Sequence, residues 1–275
     1  MRKFVMLLAA VIIAMSAQTL YAANVIVMDG STTVLPFGQA AVEQFMKQNP
    51  KVKFSVSGTG TGNGFKSLAD GSTQIANASR FIKDSEVKAC MAKNIYPVPF
   101  AVALDCIVPV VNPSNPVKSL SEEQLKDIYS GKVKNWKEVG GHDSAIVVIG
   151  RDTSSGTYGT WQEMIMGKSV RVTPRAQVTA SSGAMMTAIA KNKNAIGYEG
   201  MGYVSKAVKA LQVGGIAASA SSARSGKYPL ARYLYMFTNG WPKDDTLDFI
   251  NYMLSPAGQK IVAKTGFVPL HAEGK

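Results

Sequence analysis

The segment Arg151-Asp152-Thr153-Ser154-Ser155-Gly156-Thr157 sets a fixed cation, several hydroxyls and a glycine just ahead of Tyr158–Met166, a run that reads as a helix. The first turn of a helix carries amides without an intrahelical acceptor, and a partial positive charge. A guanidinium beside it adds a planar fork of donors that fits two oxygens at once. The chemistry this combination suits is retention of a tetrahedral oxyanion. Two other stretches share the pattern: Asp29-Gly30-Ser31-Thr32-Thr33-Val34-Leu35-Pro36 and Ser57-Gly58-Thr59-Gly60-Thr61-Gly62-Asn63-Gly64. Each lies between a strand-like and a helix-like run, and alternating glycines let backbone amides approach a ligand closely. One such turn alone is an ordinary loop. Three at strand-to-helix junctions, one led by Arg151, point to holding an anion rather than transforming it.

Motifs for catalysis fail on spacing. A P-loop needs Lys directly after its last glycine, and Phe65 stands between Gly64 and Lys66. A dinucleotide fingerprint counted from Gly58 and Gly60 needs glycine where Asn63 stands. Neither Ser154 nor Ser155 sits in a G-x-S-x-G elbow. The only histidines, His142 and His271, offer a serine nucleophile a poorly placed base. Two scattered Cys and two scattered His do not make a zinc site. We therefore expect no catalytic residue, no metal and no cofactor.

Elements must bring these stretches together. After the start of the chain, β-branched runs (25–28, 51–56, 74–78) alternate with helical patterns (37–48, 63–69, 84–92), and 99–112 is a long apolar strand. Pro36 suits a first helical turn, and Asp84 an N-cap. Ser121-Glu122-Glu123-Gln124 reads as a capping box opening a helix that Ser130-Gly131 ends. Strand 145–150 leads into Arg151, and Ser181-Ser182-Gly183, read mainly as a cap, precedes helix 184–191 and strand 195–198. Residues 214–226 read as a loop, 228–238 as a second long strand, and 244–254 and 256–264 as closing helices. Alternation of this kind predicts an α/β fold. The two long strands flank the middle third of the chain, which suits two lobes with the chain crossing between them twice.

The 275 residues, 46% hydrophobic, can fill one large or two modest cores. Arg2 and Lys3 precede an apolar run, Phe4–Met15, too short for a membrane span, and Ala22-Ala23 follows. This predicts a secretory signal over 1–22 and an exported, periplasmic chain. No Cys near that point offers a lipid anchor. Cys90 and Cys106 are the only cysteines; an oxidising compartment permits a bond, while a helical Cys90 and a strand Cys106 leave the geometry open. The net charge of +12 is spread among isolated lysines with no aromatic-laced basic run. That predicts a solvated surface able to steer anions, and no nucleic-acid partner. The tryptophans Trp136, Trp161 and Trp241 read as packing residues.

Several of these segments, in this order, resemble the periplasmic phosphate-binding protein of the ABC phosphate transporter. They are Gly30–Pro36, the 57–64 glycine loop, Ala78-Ser79-Arg80, Leu120–Gly131 with Asn135-Trp136, Arg151–Thr157, Asn194–Tyr198 and Tyr228–Arg232. The resemblance runs from about residue 25 to the C-terminus. It implies a type II periplasmic-binding-protein-like fold: two α/β lobes, each a mixed sheet flanked by helices, joined by a two-strand hinge. The lobes would comprise 23–107 with 228–275, and 108–227. Inorganic phosphate would be the ligand and the transmembrane permease subunits of an ABC importer the partner, with the receptor a monomer and without a membrane anchor. Thr32, Thr33 and Thr61 would bind from the first lobe, and Arg151, Ser155, Gly156 and Thr157 from the second.

One departure concerns the proton of hydrogen phosphate. Many longer members place an acceptor Asp where this chain has Arg80, which cannot accept a hydrogen bond. Arg80 is expected either to touch the ligand or to pair with an acid such as Asp105. Asp105 is the candidate acceptor, ahead of Asp29 and Asp152. Other oxyanions (sulfate, molybdate, tungstate, a phosphonate) are alternative ligands, and a secreted phosphate-ester hydrolase or an adhesin on the same fold is a reading from another class.

Overall fold

Short apolar strands and amphipathic helices bury one face each by stacking in layers. A computed structural model describes residues 25–271, so the expected signal segment lies outside the described residues. Strands β1 (Val25–Gly30), β2 (Lys53–Val56) and β3 (Ile75–Ala78) alternate with helices Leu35–Gln48, Thr61–Ala69 and Asp84–Met91. The long β4 (Pro97–Val111) follows. After it come β5 (Ser119–Leu120), helix Glu122–Ser130, β6 (Val147–Arg151), helix Gly156–Trp161, β7 (Gln177–Thr179), helix Ser182–Lys191 and β8 (Ala195–Gly200). β9 (Lys209–Ala210), β10 (Gln212–Val213) and helix Ala220–Arg224 lead to β11 (Ala231–Asn239) and the helices Asp244–Leu254 and Pro256–Lys264.

The strands are ordered β2-β1-β3-β11-β4-β8-β6-β7, with β9 also on β4. β1 runs parallel to β2 and β3, and β6 parallel to β7 and β8. β11 is antiparallel to both β3 and β4, and β4 to β8, so each half is a mixed sheet. β4 joins the halves. Its residues up to Cys106 pair with β11, and from Ile107 onward they pair with β8. Buried side chains divide at the same point. Ile26, Phe37, Phe45, Leu234 and Phe249 form one core, and Val108, Tyr129, Trp136, Trp161 and Tyr198 another. The chain thus crosses between two lobes at residues 106–107 and again at 230–231, where the Ile107 amide donates to the Leu230 carbonyl (2.9 Å).

The second core holds the strands that carry the Arg151 stretch. The Trp161 ring stacks on Tyr198 with centroids 4.2 Å apart, and Tyr129 leans on both. The Tyr129 hydroxyl donates to the Ile149 carbonyl, two residues before Arg151 (3.2 Å). Tyr198 and Glu199 are adjacent in β8 and so face opposite sides of the sheet. The aromatic side is packed and the other side is left for chemistry.

Several local expectations are corrected. Within 214–226 a short helix forms, because the Ser219 side chain caps it at Ser222 (3.0 Å) and Ala223 is buried. Asp84 is the first helical residue rather than the cap, which is Lys83. The helix after Ser155 widens into a π-turn at Gln162–Met166. Trp241 is two-thirds exposed and rests edge-on against Phe100, whereas Trp136 and Trp161 are core. Cys90 and Cys106 are both buried and unpaired. Cys106 packs in the second core, while Cys90 is held on a first-lobe helix. An unfolded sample prepared without reductant should therefore titrate two reactive thiols, and reductant should leave the melting temperature where it was. Finding no reactive thiol would contradict this packing.

Candidate functional site

The three donor-rich stretches meet between the lobes. Thr32 and Thr33 occupy the turn between β1 and helix Leu35–Gln48, and Thr61 opens its own helix; all three are buried. Gly30 makes that first turn: its φ is +129°, and a Cβ there would lie 2.3 Å from the Asn77 carbonyl oxygen. Arg151 ends β6. Ser155 caps the next helix, its Oγ accepting from the Tyr158 amide (3.2 Å). The Gly156 and Thr157 amides then open that helix without intrahelical acceptors.

Contacts across the cleft are direct. Arg151 Nη2 donates to Thr32 Oγ1 (3.0 Å) and Nη1 to Ser182 Oγ (3.1 Å), while the Thr32 and Ser182 hydroxyls lie 3.0 Å apart. The Thr33 and Thr157 hydroxyls are 2.9 Å apart. Within the first lobe Thr61 Oγ1 accepts from the Ser79 amide (3.1 Å), and a Cβ on Gly156 of the second lobe would lie 2.5 Å from that oxygen. Thr32, Thr33, Thr61, Arg151, Ser155, Gly156 and Thr157 are therefore brought together from segments far apart in sequence. The glycine loop docks as well: the Gly62 amide donates to the Ser154 carbonyl (2.8 Å). Gly60 has φ +107°, and a Cβ on it would fall 2.2 Å from Ser154 Oγ. These glycines let two backbones meet across the cleft.

Arg80 and Asp105 do not pair with each other. Arg80 gives both terminal nitrogens to Glu86 (2.7 and 2.6 Å) and lies over the Phe65 ring, so its acid is Glu86 and not Asp105. Asp105 Oδ2 accepts from Arg232 Nε (3.0 Å) and Nη2 (2.8 Å), and Oδ1 accepts from the Met201 amide (3.0 Å). Burial pushes the Asp105 carboxyl up, against the pull of Arg232. Asp29 is turned into its own lobe, accepting from Ser57, Thr59 and Ser67. Asp152 accepts from the Ser154 amide (2.8 Å) as a turn-former. Ser181 is the helix cap, as expected, and Ser182 next to it faces the cleft.

Two charged residues escaped sequence reasoning. Glu199, fully buried, accepts from Arg151 Nη1 at 2.6 Å. Arg232 reaches past Asp105 to Thr157 Oγ1 (3.0 Å) and the Ser79 carbonyl (2.8 Å). The signal was present in each case, as one charge inside an otherwise apolar strand, since a buried charge requires a partner. Arg151 is thus not a lone cation. Two buried guanidiniums each hold a buried carboxylate, and their terminal nitrogens also reach hydroxyls and carbonyl oxygens. Among the described residues no three His, Cys, Asp or Glu are grouped to hold a metal.

Two lobes joined by crossing strands, with facing donors around a buried arginine, define a solute-binding protein. The profile of the PBP superfamily domain matches residues 17–257. The chain belongs to that superfamily and, within it, to the phosphate-binding family of ABC-transporter substrate-binding proteins, a family of transport receptors rather than enzymes. It is 35% identical to protein SphX of Synechococcus elongatus, the match covering 89% of this chain and 77% of that one. It is 32% identical to the phosphate-binding protein PstS of Bacillus subtilis, covering 90% and 82%. A Clostridium perfringens ABC-transporter substrate-binding protein, solved with bound phosphate, superposes with a TM-score of 0.85 at 33% identity, covering 90% of this chain and all of that one.

Breaking one of the two buried ion pairs should be costly. Arg232→Ala leaves Asp105 buried without its counter-charge and should lower unfolding free energy by about 3–5 kcal/mol in a urea titration. Arg232→Met combined with Asp105→Leu should recover most of that loss. Equal losses in the single and double variants would show that the pair is not the source.

Proposed function

We propose that this chain is exported, binds inorganic phosphate between its lobes, and delivers it as a monomer to the transmembrane permease subunits of an ABC importer. We place the lobe boundaries at the two crossings, 106–107 and 230–231, a few residues from the boundaries 107/108 and 227/228 expected from the sequence. One observation carries the reading: Thr32 and Thr33 of one lobe hydrogen-bond with Arg151 and Thr157 of the other, and Thr61 lies against Gly156 of that second lobe. The relatives' names and the phosphate in the Clostridium perfringens protein support this choice of ligand. No helix among the described residues is long and apolar enough to cross a membrane.

Binding follows from the donors. Hydroxyls that now meet each other, Thr32 with Ser182 and Thr33 with Thr157, turn their protons onto phosphate oxygens. The Thr61 and Ser155 hydroxyls and the amides of Gly156 and Thr157 add donors, and Arg151 supplies charge-assisted ones. Asp105, held by Arg232, lies beside Thr33: a Cβ on Gly200 would touch both. It is the acceptor candidate of this lobe. Arg80 falls outside the ligand set, because its fork is occupied by Glu86. The cycle has no chemical step, only closure, release and reopening.

Calorimetry on refolded, phosphate-free protein tests this. Phosphate should bind with micromolar or tighter affinity, and sulfate at comparable concentration should not displace it. Arg151→Ala should weaken binding by about 3–4 kcal/mol, about two to three orders of magnitude, since Glu199 would lose its partner and phosphate its cation. Gly156→Ala should also weaken binding without unfolding either lobe, because its Cβ would fall 2.5 Å from Ser79 Oγ and Thr61 Oγ1. Absence of any heat with phosphate at neutral pH rejects the reading, and ready displacement by sulfate reassigns the ligand to another oxyanion.

A further inference from the structure

The charge inventory of the closed cleft has a consequence for how phosphate binds. Arg151 and Arg232 are buried, and so are Glu199 and Asp105, one carboxylate for each guanidinium. Arg80 is likewise neutralised by Glu86. Asp29, buried and held by the hydroxyls of Ser57, Thr59 and Ser67, adds a negative charge beside the Gly30 turn. Among the described residues of the cleft no surplus cation is left to balance a doubly charged guest. Helix starts contribute only partial positive charge. Enclosing a dianion against two buried carboxylates costs several kcal/mol per uncompensated charge, and protonating one carboxylate removes that cost most simply.

The geometry distinguishes the two carboxylates. Both Asp105 oxygens accept hydrogen bonds, from Arg232 twice on Oδ2 and from the Met201 amide on Oδ1. Glu199 is engaged through Oε1 alone, and its Oε2 is buried with no partner. A proton on Oε2 would leave the Oε1 bond to Arg151 in place and would turn an unsatisfied acceptor into a donor. The charged and titratable groups around Glu199 are Arg151 on β6, Arg232 on β11, Asp105 on β4, Tyr203 in the turn after β8, and, through the sheet, Tyr198 on β8 and Tyr129 on helix Glu122–Ser130; the Ser182 hydroxyl also faces it. Burial already pushes the Glu199 carboxyl up against the pull of Arg151.

We propose that, above neutral pH, this chain takes up a proton from solvent as it binds phosphate, and that Glu199 holds it. The inference rests on the phosphate-binding reading. Hydrogen phosphate dianion enters, one solvent proton joins Glu199 Oε2, and no bond in the ligand is made or broken. The complex then carries one negative charge fewer than its dissociated parts, so affinity falls as pH rises.

Calorimetry in two phosphate-free buffers of unequal ionisation enthalpy, at a pH where free phosphate is the dianion, tests this on the unmodified chain. The observed heats should differ between buffers by the amount for net proton uptake, and affinity should fall about tenfold per pH unit across the alkaline limb. Glu199→Gln imitates the protonated side chain. It should bind phosphate with little pH dependence, show equal heats in both buffers, and exceed the unmodified chain in affinity at the alkaline end. Equal heats in both buffers for the unmodified chain overturn the proposal while leaving phosphate binding intact. Uptake that persists in Glu199→Gln overturns the assignment to Glu199. Loss of binding at every pH removes the receptor reading itself, a distinct result.

Discussion

Charge burial governs this molecule. A guanidinium in a dry cleft is tolerable only when a carboxylate accompanies it and its remaining N–H groups find acceptors. The sheet provides both carboxylates by register. Arg232 on β11 lies directly opposite Asp105 on β4, and Glu199 on β8 meets Arg151 on the neighbouring β6. Each arginine then reaches beyond its own pair. Arg151, in the second lobe, donates to Thr32 of the first, and Arg232, at the crossing strands, donates to Thr157 of the second. The ion pairs are built within the sheet, and the nitrogens each pair leaves over add bonds between the lobes to those of Thr33 with Thr157 and Gly62 with Ser154.

That division places adjustability where function requires it. β4 passes from one lobe to the other without a break, and Asp105 sits one residue before its change of partner, so the hinge and one ion pair share the same few residues. Opening the lobes would release the hydroxyl contacts of Thr32 and Thr33 and the Gly62–Ser154 backbone bond while leaving the two buried ion pairs intact. The neutral bonds among these are worth about 0.5–1.5 kcal/mol each, and the Arg151–Thr32 bond about 1.5–3 kcal/mol. A handful of them can be exchanged for ligand bonds at little net cost, whereas exposing either ion pair's apolar surroundings would be expensive. The glycines belong to the same mechanism. Gly60 and Gly156 stand where a methyl group would keep the two lobes' backbones apart.

Much of this was legible in the sequence because turns and helix starts are local. Hydroxyl-rich residues after a strand and before an amphipathic run announced Thr32, Thr61 and Ser155 with no knowledge of the fold. Alternating runs placed nearly every strand and helix, and the closing helices 244–254 and 256–264 fell at their expected bounds. What escaped was pairing. The acid that holds Arg151 lies 48 residues away on another strand, and nothing local to either residue connects them. Arg80 illustrates the converse: Asp105 was the attractive partner from afar, yet Glu86, six residues on and turned back by the start of its helix, takes the fork. Segment 214–226 looked like a loop because serine and glycine favour turns; one side-chain cap and one buried alanine were enough to close a short helix there.

Surface and interior handle charge in opposite ways, and the two act on different steps of binding. The chain as a whole carries an excess of basic residues, +12 in formal charge, spread over solvated lysines. Such a field raises the encounter rate with anions and fades as salt screens it. Inside the cleft the full charges already cancel in pairs, so little is left to hold any anion by charge alone. Discrimination there depends on how many donors meet each oxygen and on whether a proton can be shared. A long-range field cannot distinguish one small oxyanion from another of equal charge. A neutral, donor-lined interior can, because its hydrogen bonds depend on the positions of individual oxygens and protons, and for that reason the arginines at its centre are worth burying even though carboxylates cancel their charge.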